Sequence, residues 1–128
     1  MTEIIIDNGV GDSNFTVLDL SRFTRLRRLE IGDHCMSYVT TVKIKWLLKL
    51  ESVVIGKNSF TKCKNEVEIT SDPNRRFELN GCDKLKSLKI GSYSFSDYSM
   101  AEIESNRLEV IEMGDRVFVY ASLIMKSE

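Results

Sequence analysis

A seven-residue string recurs along this chain, and a repeat constrains a fold more than any single residue does, because every copy must solve its burial in the same way. The clearest copies are Leu26-Arg27-Arg28-Leu29-Glu30-Ile31-Gly32, Leu50-Glu51-Ser52-Val53-Val54-Ile55-Gly56, Leu85-Lys86-Ser87-Leu88-Lys89-Ile90-Gly91 and Leu108-Glu109-Val110-Ile111-Glu112-Met113-Gly114. Met1-Thr2-Glu3-Ile4-Ile5-Ile6-Asp7 is a fifth copy without the glycine. The starts at 1, 26, 50, 85 and 108 lie 25, 24, 35 and 23 residues apart, so the third gap carries an insertion of about eleven residues. In each copy the second and third apolar positions are two apart, as in a strand that sends alternate side chains into one core. The glycine is expected to let the backbone turn sharply off that strand.

Two further elements recur. Shortly after the glycine a small residue precedes a bulky apolar one, in Cys35-Met36, Ser59-Phe60, Ser94-Phe95 and Val117-Phe118, which reads as a plug packed into the interior. The first copy has Val10-Gly11 and is expected to be thinner there. Each copy then closes with apolar residues two apart: Leu18-Asp19-Leu20, Val42-Lys43-Ile44, Phe77-Glu78-Leu79, Ala101-Glu102-Ile103 and Leu123-Ile124-Met125. Val67-Glu68-Ile69 competes for this role in the third copy. Phe77-Glu78-Leu79 is preferred because it keeps the usual six-residue spacing to the next opening leucine. The expectation is one domain over residues 1–128, built as a strand-dominated solenoid of about five coils. Each coil has a short strand on each face, the sheets are parallel, and regular helices are few or absent. Leu29, Val53, Leu88 and Ile111 should stack as one buried ladder, with Ile31, Ile55, Ile90 and Met113 beside it. Neither an amphipathic capping helix nor a cysteine-rich cap is found at either end, so self-association through uncapped coils is a second expectation.

Four Leu-x-x-(Leu/Val/Ile)-x-(Ile/Met)-Gly copies, two of them followed by a Ser-Phe plug, make the chain, from Met1 to about Lys126, resemble the leucine-rich-repeat superfamily. Within it the pattern is similar to the BspA-like variant of bacterial and protist surface proteins. The chain departs from the family in lacking the asparagine of the common repeat and the proline of the bacterial variant, and in its insertion. The resemblance implies a right-handed α/β-type leucine-rich-repeat solenoid with a parallel sheet and a role in protein recognition.

Composition narrows the function further. The 128 residues, 42% of them hydrophobic, suffice for one core. Lys and Arg number 18 against 19 Asp and Glu, so a net charge of −1 offers no field to attract nucleic acid. No run approaches the ~20 apolar residues of a membrane-spanning helix, and the first residues lack the basic and long apolar regions of a signal peptide. Cys35, Cys63 and Cys82 are odd in number and form no Cys-x-x-Cys pair, which disfavours a disulfide framework or a zinc site. Free thiols favour a cytoplasmic setting; a cell-surface setting is the alternative if the sequence is a piece of a longer protein.

Catalytic chemistry finds no foothold. His34 and Cys35 are chain neighbours whose side chains cannot converge along an extended backbone. The glycines recur once per copy and form no phosphate-binding loop. Asp33 and Asp115 hold equivalent turns in different coils, with Lys57 and Ser92 between, and no turn gathers a calcium ligand set. The chain is therefore expected to be no enzyme and to need neither cofactor nor metal.

The partner expected is another protein, its identity open, and the outward columns nominate where it binds. On the first sheet one column is Ile5, Glu30, Val54, Lys89 and Glu112, and its neighbour is Glu3, Arg28, Ser52, Ser87 and Val110. On the second, Asp19, Lys43, Glu78, Glu102 and Ile124 read as a solvated face. Trp46, among Leu47 and Leu48, reads better as packing between coils than as a partner anchor. Residues 61–76 read as a surface loop, because Asp72-Pro73-Asn74 is turn chemistry. The candidate protein-contact residues are Ile5, Arg28, Glu30, Val54, Lys89 and Glu112 on the sheet, with Arg75 and Arg76 on that loop. Self-association, or membership of a longer cell-surface repeat protein, is the alternative reading.

Overall fold

The computed structural model describes residues 2–11, 13–61, 72–105, 107–118 and 122–126. Ten strands account for its regular structure: β1 Glu3–Ile6, β2 Val17–Asp19, β3 Arg28–Ile31, β4 Thr41–Lys45, β5 Ser52–Ile55, β6 Asp72–Asn80, β7 Ser87–Ile90, β8 Tyr98–Glu104, β9 Val110–Met113 and β10 Ser122–Lys126. Among the described residues there is no helix, and so none long and apolar enough to cross a membrane. Odd-numbered strands form one five-stranded sheet in the order β1-β3-β5-β7-β9, and even-numbered strands form a second in the order β10-β8-β6-β4-β2. Every pairing within both sheets is parallel. The chain thus shuttles from sheet to sheet, and each return lays a strand beside the one before last.

The repeated string sets the register of the first sheet. Leu29 pairs with Val53, Val53 with Leu88 and Leu88 with Ile111, so the apolar ladder forms as expected from the spacing. Leu29, Val53 and Leu88 are fully buried, but Ile111 is 41% exposed because β9 is the edge strand and nothing described covers its far side. Val42, Phe77 and Ala101 pair in the same way from the second sheet and close the core.

Between the sheets the plugs stack. Phe60 lies over Phe95 with ring centroids 4.6 Å apart, and Phe95 over Phe118 at 5.1 Å. The small residues before them make a polar ladder. The Ser59 hydroxyl donates to the Gly32 carbonyl (2.7 Å) and accepts from the Cys35 N–H (3.2 Å); the Ser94 hydroxyl donates to the Gly56 carbonyl (2.5 Å) and accepts from the Ser59 N–H (3.0 Å). Val117 has no oxygen to continue it, and the Ser94 N–H turns back onto the Gly91 carbonyl of its own pass at 3.3 Å. Each plug sits at positive φ (Met36 58°, Phe60 59°, Phe95 58°, Phe118 53°), as does the residue two before it, in conformations that L residues adopt at a cost of about 1–2 kcal/mol. In the first three of these the plug N–H then donates across to the previous pass: Met36 to Val10, Phe60 to Cys35, Phe95 to Ser59.

Three expectations need correction. The repeat glycines Gly32, Gly56, Gly91 and Gly114 do not occupy the left-handed region; the turning is done by the residues after them. Their role is close approach: a Cβ at Gly91 would lie 2.6 Å from the Gly56 carbonyl carbon. Residues 72–76 are not a loop, since β6 begins at Asp72. A bulge between Asp72 and Arg76 absorbs the register shift against β8, and pairing with β4 starts only at Arg76, so Pro73 withholds no ladder donor there. Strand alternation then points Arg75 inward with Phe77 and Leu79, and it is only 1% exposed. Its guanidinium meets Asp97 at 3.7 Å, donates to the Ser37 carbonyl at 3.0 Å and lies over the Tyr98 ring at 5.8 Å. Third, Trp46 is not packed between coils. It takes φ 58°, which swings the indole outward, leaves it 68% exposed and hands the inner position to Leu47. Val67-Glu68-Ile69 and Cys63 lie outside the described residues.

Candidate functional site

The outer face of the first sheet gathers six of the eight nominated residues. Register pairs Ile5 with Glu30, Glu30 with Val54, Val54 with Lys89 and Lys89 with Glu112, giving one straight column, and Arg28 stands in the next between Glu3 and Ser52. Ile5, Arg28, Lys89 and Glu112 are exposed; Glu30 and Val54 are half-buried by their neighbours. Arg76 is exposed but belongs to the second sheet, and Arg75 is inside. The structure therefore separates both arginines from the face they were grouped with.

Charges on this face are matched within and across strands. Arg28 pairs with Glu30 and reaches Glu3 at 4.0 Å, and Lys89 reaches Glu112 at 3.9 Å. A column that sequence reasoning missed runs along the entry to each strand: Arg27, Glu51, Lys86 and Glu109, all exposed and alternating in sign. Their backbones are laddered too, Glu51 N–H to Arg27, Lys86 to Glu51 and Glu109 to Lys86, at 2.7 to 2.9 Å. The signal was present in the second position of every Leu-x-x-Leu string. At the exits of the same strands a broad, shallow cleft of about 640 Å³ is lined by Asp33, Lys57, Lys89, Ile111 and Glu112.

The second sheet presents Asp19, Lys43, Glu78 and Glu102 in register, a charged column as expected. Lys45 pairs with Glu78 at 3.4 Å, and the Asn80 amide donates to Glu102 at 3.4 Å. The Ser21 N–H, 3.0 Å from the Asp19 carboxylate, holds that carboxyl below its ordinary value, helped by Lys43 and Arg22. Burial pushes the Cys82 thiol above its ordinary value, and Cys35 is buried in the small-residue slot. His34 is exposed in its turn. Among the described residues no three His, Cys, Asp or Glu side chains gather as a metal would require.

At the end formed by β1 and β2 the sheets part around an apolar cleft of about 610 Å³, lined by Ile4, Ile6, Phe15, Val17, Phe23 and Met36. Comparison with family models, with curated proteins and with solved structures returned no match.

Proposed function

We propose that this chain is a leucine-rich-repeat solenoid, similar to the BspA-like kind, and that it acts as a non-enzymatic module whose first-sheet face binds another protein. The observation that supports this reading most is the register of β1, β3, β5, β7 and β9. It lines Ile5, Glu30, Val54, Lys89 and Glu112 into a broad face of mixed charge and apolar character, flanked by the alternating Arg27, Glu51, Lys86 and Glu109 column. Such a face offers area and charge pattern where an enzyme would need a cleft of converging groups. Rim charges of this kind steer and select a partner more than they add affinity. Arg75 takes no part; Arg76 would serve only a partner reaching the other sheet.

The test is capture of partners on the immobilised chain beside a variant carrying Arg28→Glu, Lys89→Glu and Glu112→Arg, whose fold is checked by circular dichroism. A protein retained by the native chain and lost from the variant is the expected result. Equal retention on both removes the face from the proposal. A second reading, self-association, is favoured by the apolar cleft between β1 and β2. Light scattering decides it: a mass that stays monomeric as concentration rises rejects that reading.

A further inference from the structure

Trp46 stands over a small cavity of about 360 Å³, lined with it by Asn80, Gly81, Asp83, Glu104 and Ser105. The wall is fixed by the fold. The Trp46 N–H donates to the Asn80 carbonyl at 3.0 Å, its backbone sits at φ 58°, and its ring lies so close to Gly81 that any Cβ there would strike it. A large apolar ring held in a left-handed backbone while 68% exposed costs stability twice, and nothing in the core requires it, since Leu47 fills the inner position.

The polar groups around the ring decide what would fit. The Asn80 amide gives one N–H to Glu102, and the Ser105 hydroxyl is shared between the carbonyls of Cys82 and Leu85. Lys45, the cation immediately before Trp46 at the end of β4, is paired with Glu78. Among the described residues the Asp83 carboxylate, the Glu104 carboxylate and the indole ring N–H have no ion pair or hydrogen bond, and the indole face is open. Ionised carboxylates only accept, so the occupant must bring donors, and a π face beside two negative charges favours a cation.

We propose that this cavity is a docking pocket for a basic side chain, an arginine or lysine of a protein partner, whose cationic group lies on Trp46 and is held by Asp83 and Glu104. The proposal rests on the reading of the chain as a protein-binding module and adds to it a second contact point, at the turns after β4 and β6. The pocket is built by three consecutive passes of the second sheet, Trp46 from one, Asn80, Gly81 and Asp83 from the next, and Glu104 and Ser105 from the third, so its geometry is set by parallel stacking.

Trp46 is the only tryptophan, so fluorescence reports on this pocket alone. The probes are N-acetyl-arginine amide and N-acetyl-lysine amide, with the neutral N-acetyl-citrulline amide and N-acetylglucosamine as comparisons, titrated into the native chain and followed also by amide chemical shifts at Gly81 and Asp83. Saturable binding of the two cationic probes is expected, weakened about two- to fivefold by Asp83→Asn and by added salt, and lost to the amide shifts in Trp46→Ala. Asp83 is the carboxylate varied because it lies in the same turn as Gly81, whose amide reports on the pocket. No saturable change, equal binding of citrulline or the sugar, or an Asp83→Asn variant that binds like the native chain would overturn the proposal. Because the titration contains no protein partner, its failure leaves the sheet-face reading standing, and loss of capture by the sheet-face variant leaves the titration untouched.

Discussion

The middle passes and the first pass of this chain obey the same repeat and differ in what covers them. Around Phe60 and Phe95 each ring has another on it, each small polar residue bonds to the pass before, and the fully buried Val53 sits between Leu29 and Leu88. In the first pass Gly11 replaces the plug and packs directly on Met36, Ile4 and Ile6 are only partly buried, and Phe15 and Val17 are exposed. An identical motif thus stabilises in proportion to the neighbours it has on both sides, which is how stacked repeats differ from a globular core.

Substitutions in matched pairs sharpen that contrast. Phe95→Ala, which removes the ring between Phe60 and Phe118, is expected to destabilise by about 3–5 kcal/mol, whereas Phe15→Ala should cost about 1 kcal/mol or less; denaturant melts of both measure the gap. Leu88→Ala should lose about 2–5 kcal/mol and Ile4→Ala distinctly less, with Lys89→Ala almost silent. Equal thermal shifts for Leu88→Ala and Lys89→Ala would break the assignment of inner and outer faces. Ser94→Ala strips the Ser59 N–H of its buried acceptor and is expected to cost about 1–3 kcal/mol. Asn8→Ala removes the acceptor of the Asp33 N–H, which lies within reach of water, and should cost a few tenths to about 1 kcal/mol in the same melts.

The smallest effect is at Asp19, on the edge strand of the first pass. Its folded carboxyl titrates below the unfolded one, so its contribution is present above the ordinary carboxylate range and is lost as pH falls through the lowered value. The side chain is exposed and screened, so the native chain and Asp19→Asn should melt within a degree or so of each other at neutral pH and converge in acid.

Strand positions were legible because they follow from apolar spacing alone: the paired apolar positions, from Leu29 with Ile31 to Ala101 with Ile103, fall in observed strands, and Leu20 misses β2 by a single residue. The exceptions came where backbone conformation overrode composition. Asp72-Pro73-Asn74 has the residues of a turn, yet β6 begins at Asp72 and Arg75, Phe77 and Leu79 alternate inward along it, and the buried charge partner, Asp97, lies 22 residues away with nothing local to announce it. Trp46 looked like core because its neighbours are apolar; one left-handed residue reversed its side. Of the candidate face, the columns were readable from the strand period. The Trp46 cavity was not, because Trp46 and Asp83 meet only through the pairing of β4 with β6.

In the middle passes three contacts share the interval between repeat glycine and plug: the glycine-to-glycine approach, the bonds of the small polar groups and the stacked rings. A strand that slipped by one residue would misplace all three together, setting a Cβ where backbone must touch backbone, leaving a buried N–H without its oxygen, and opening a gap between aromatic faces. Near-identical segments ordinarily invite mistaken pairing; between the third and fourth passes the alignment is fixed at three points at once, Gly91 against Gly56, the Ser59 N–H on the Ser94 hydroxyl and Phe60 on Phe95.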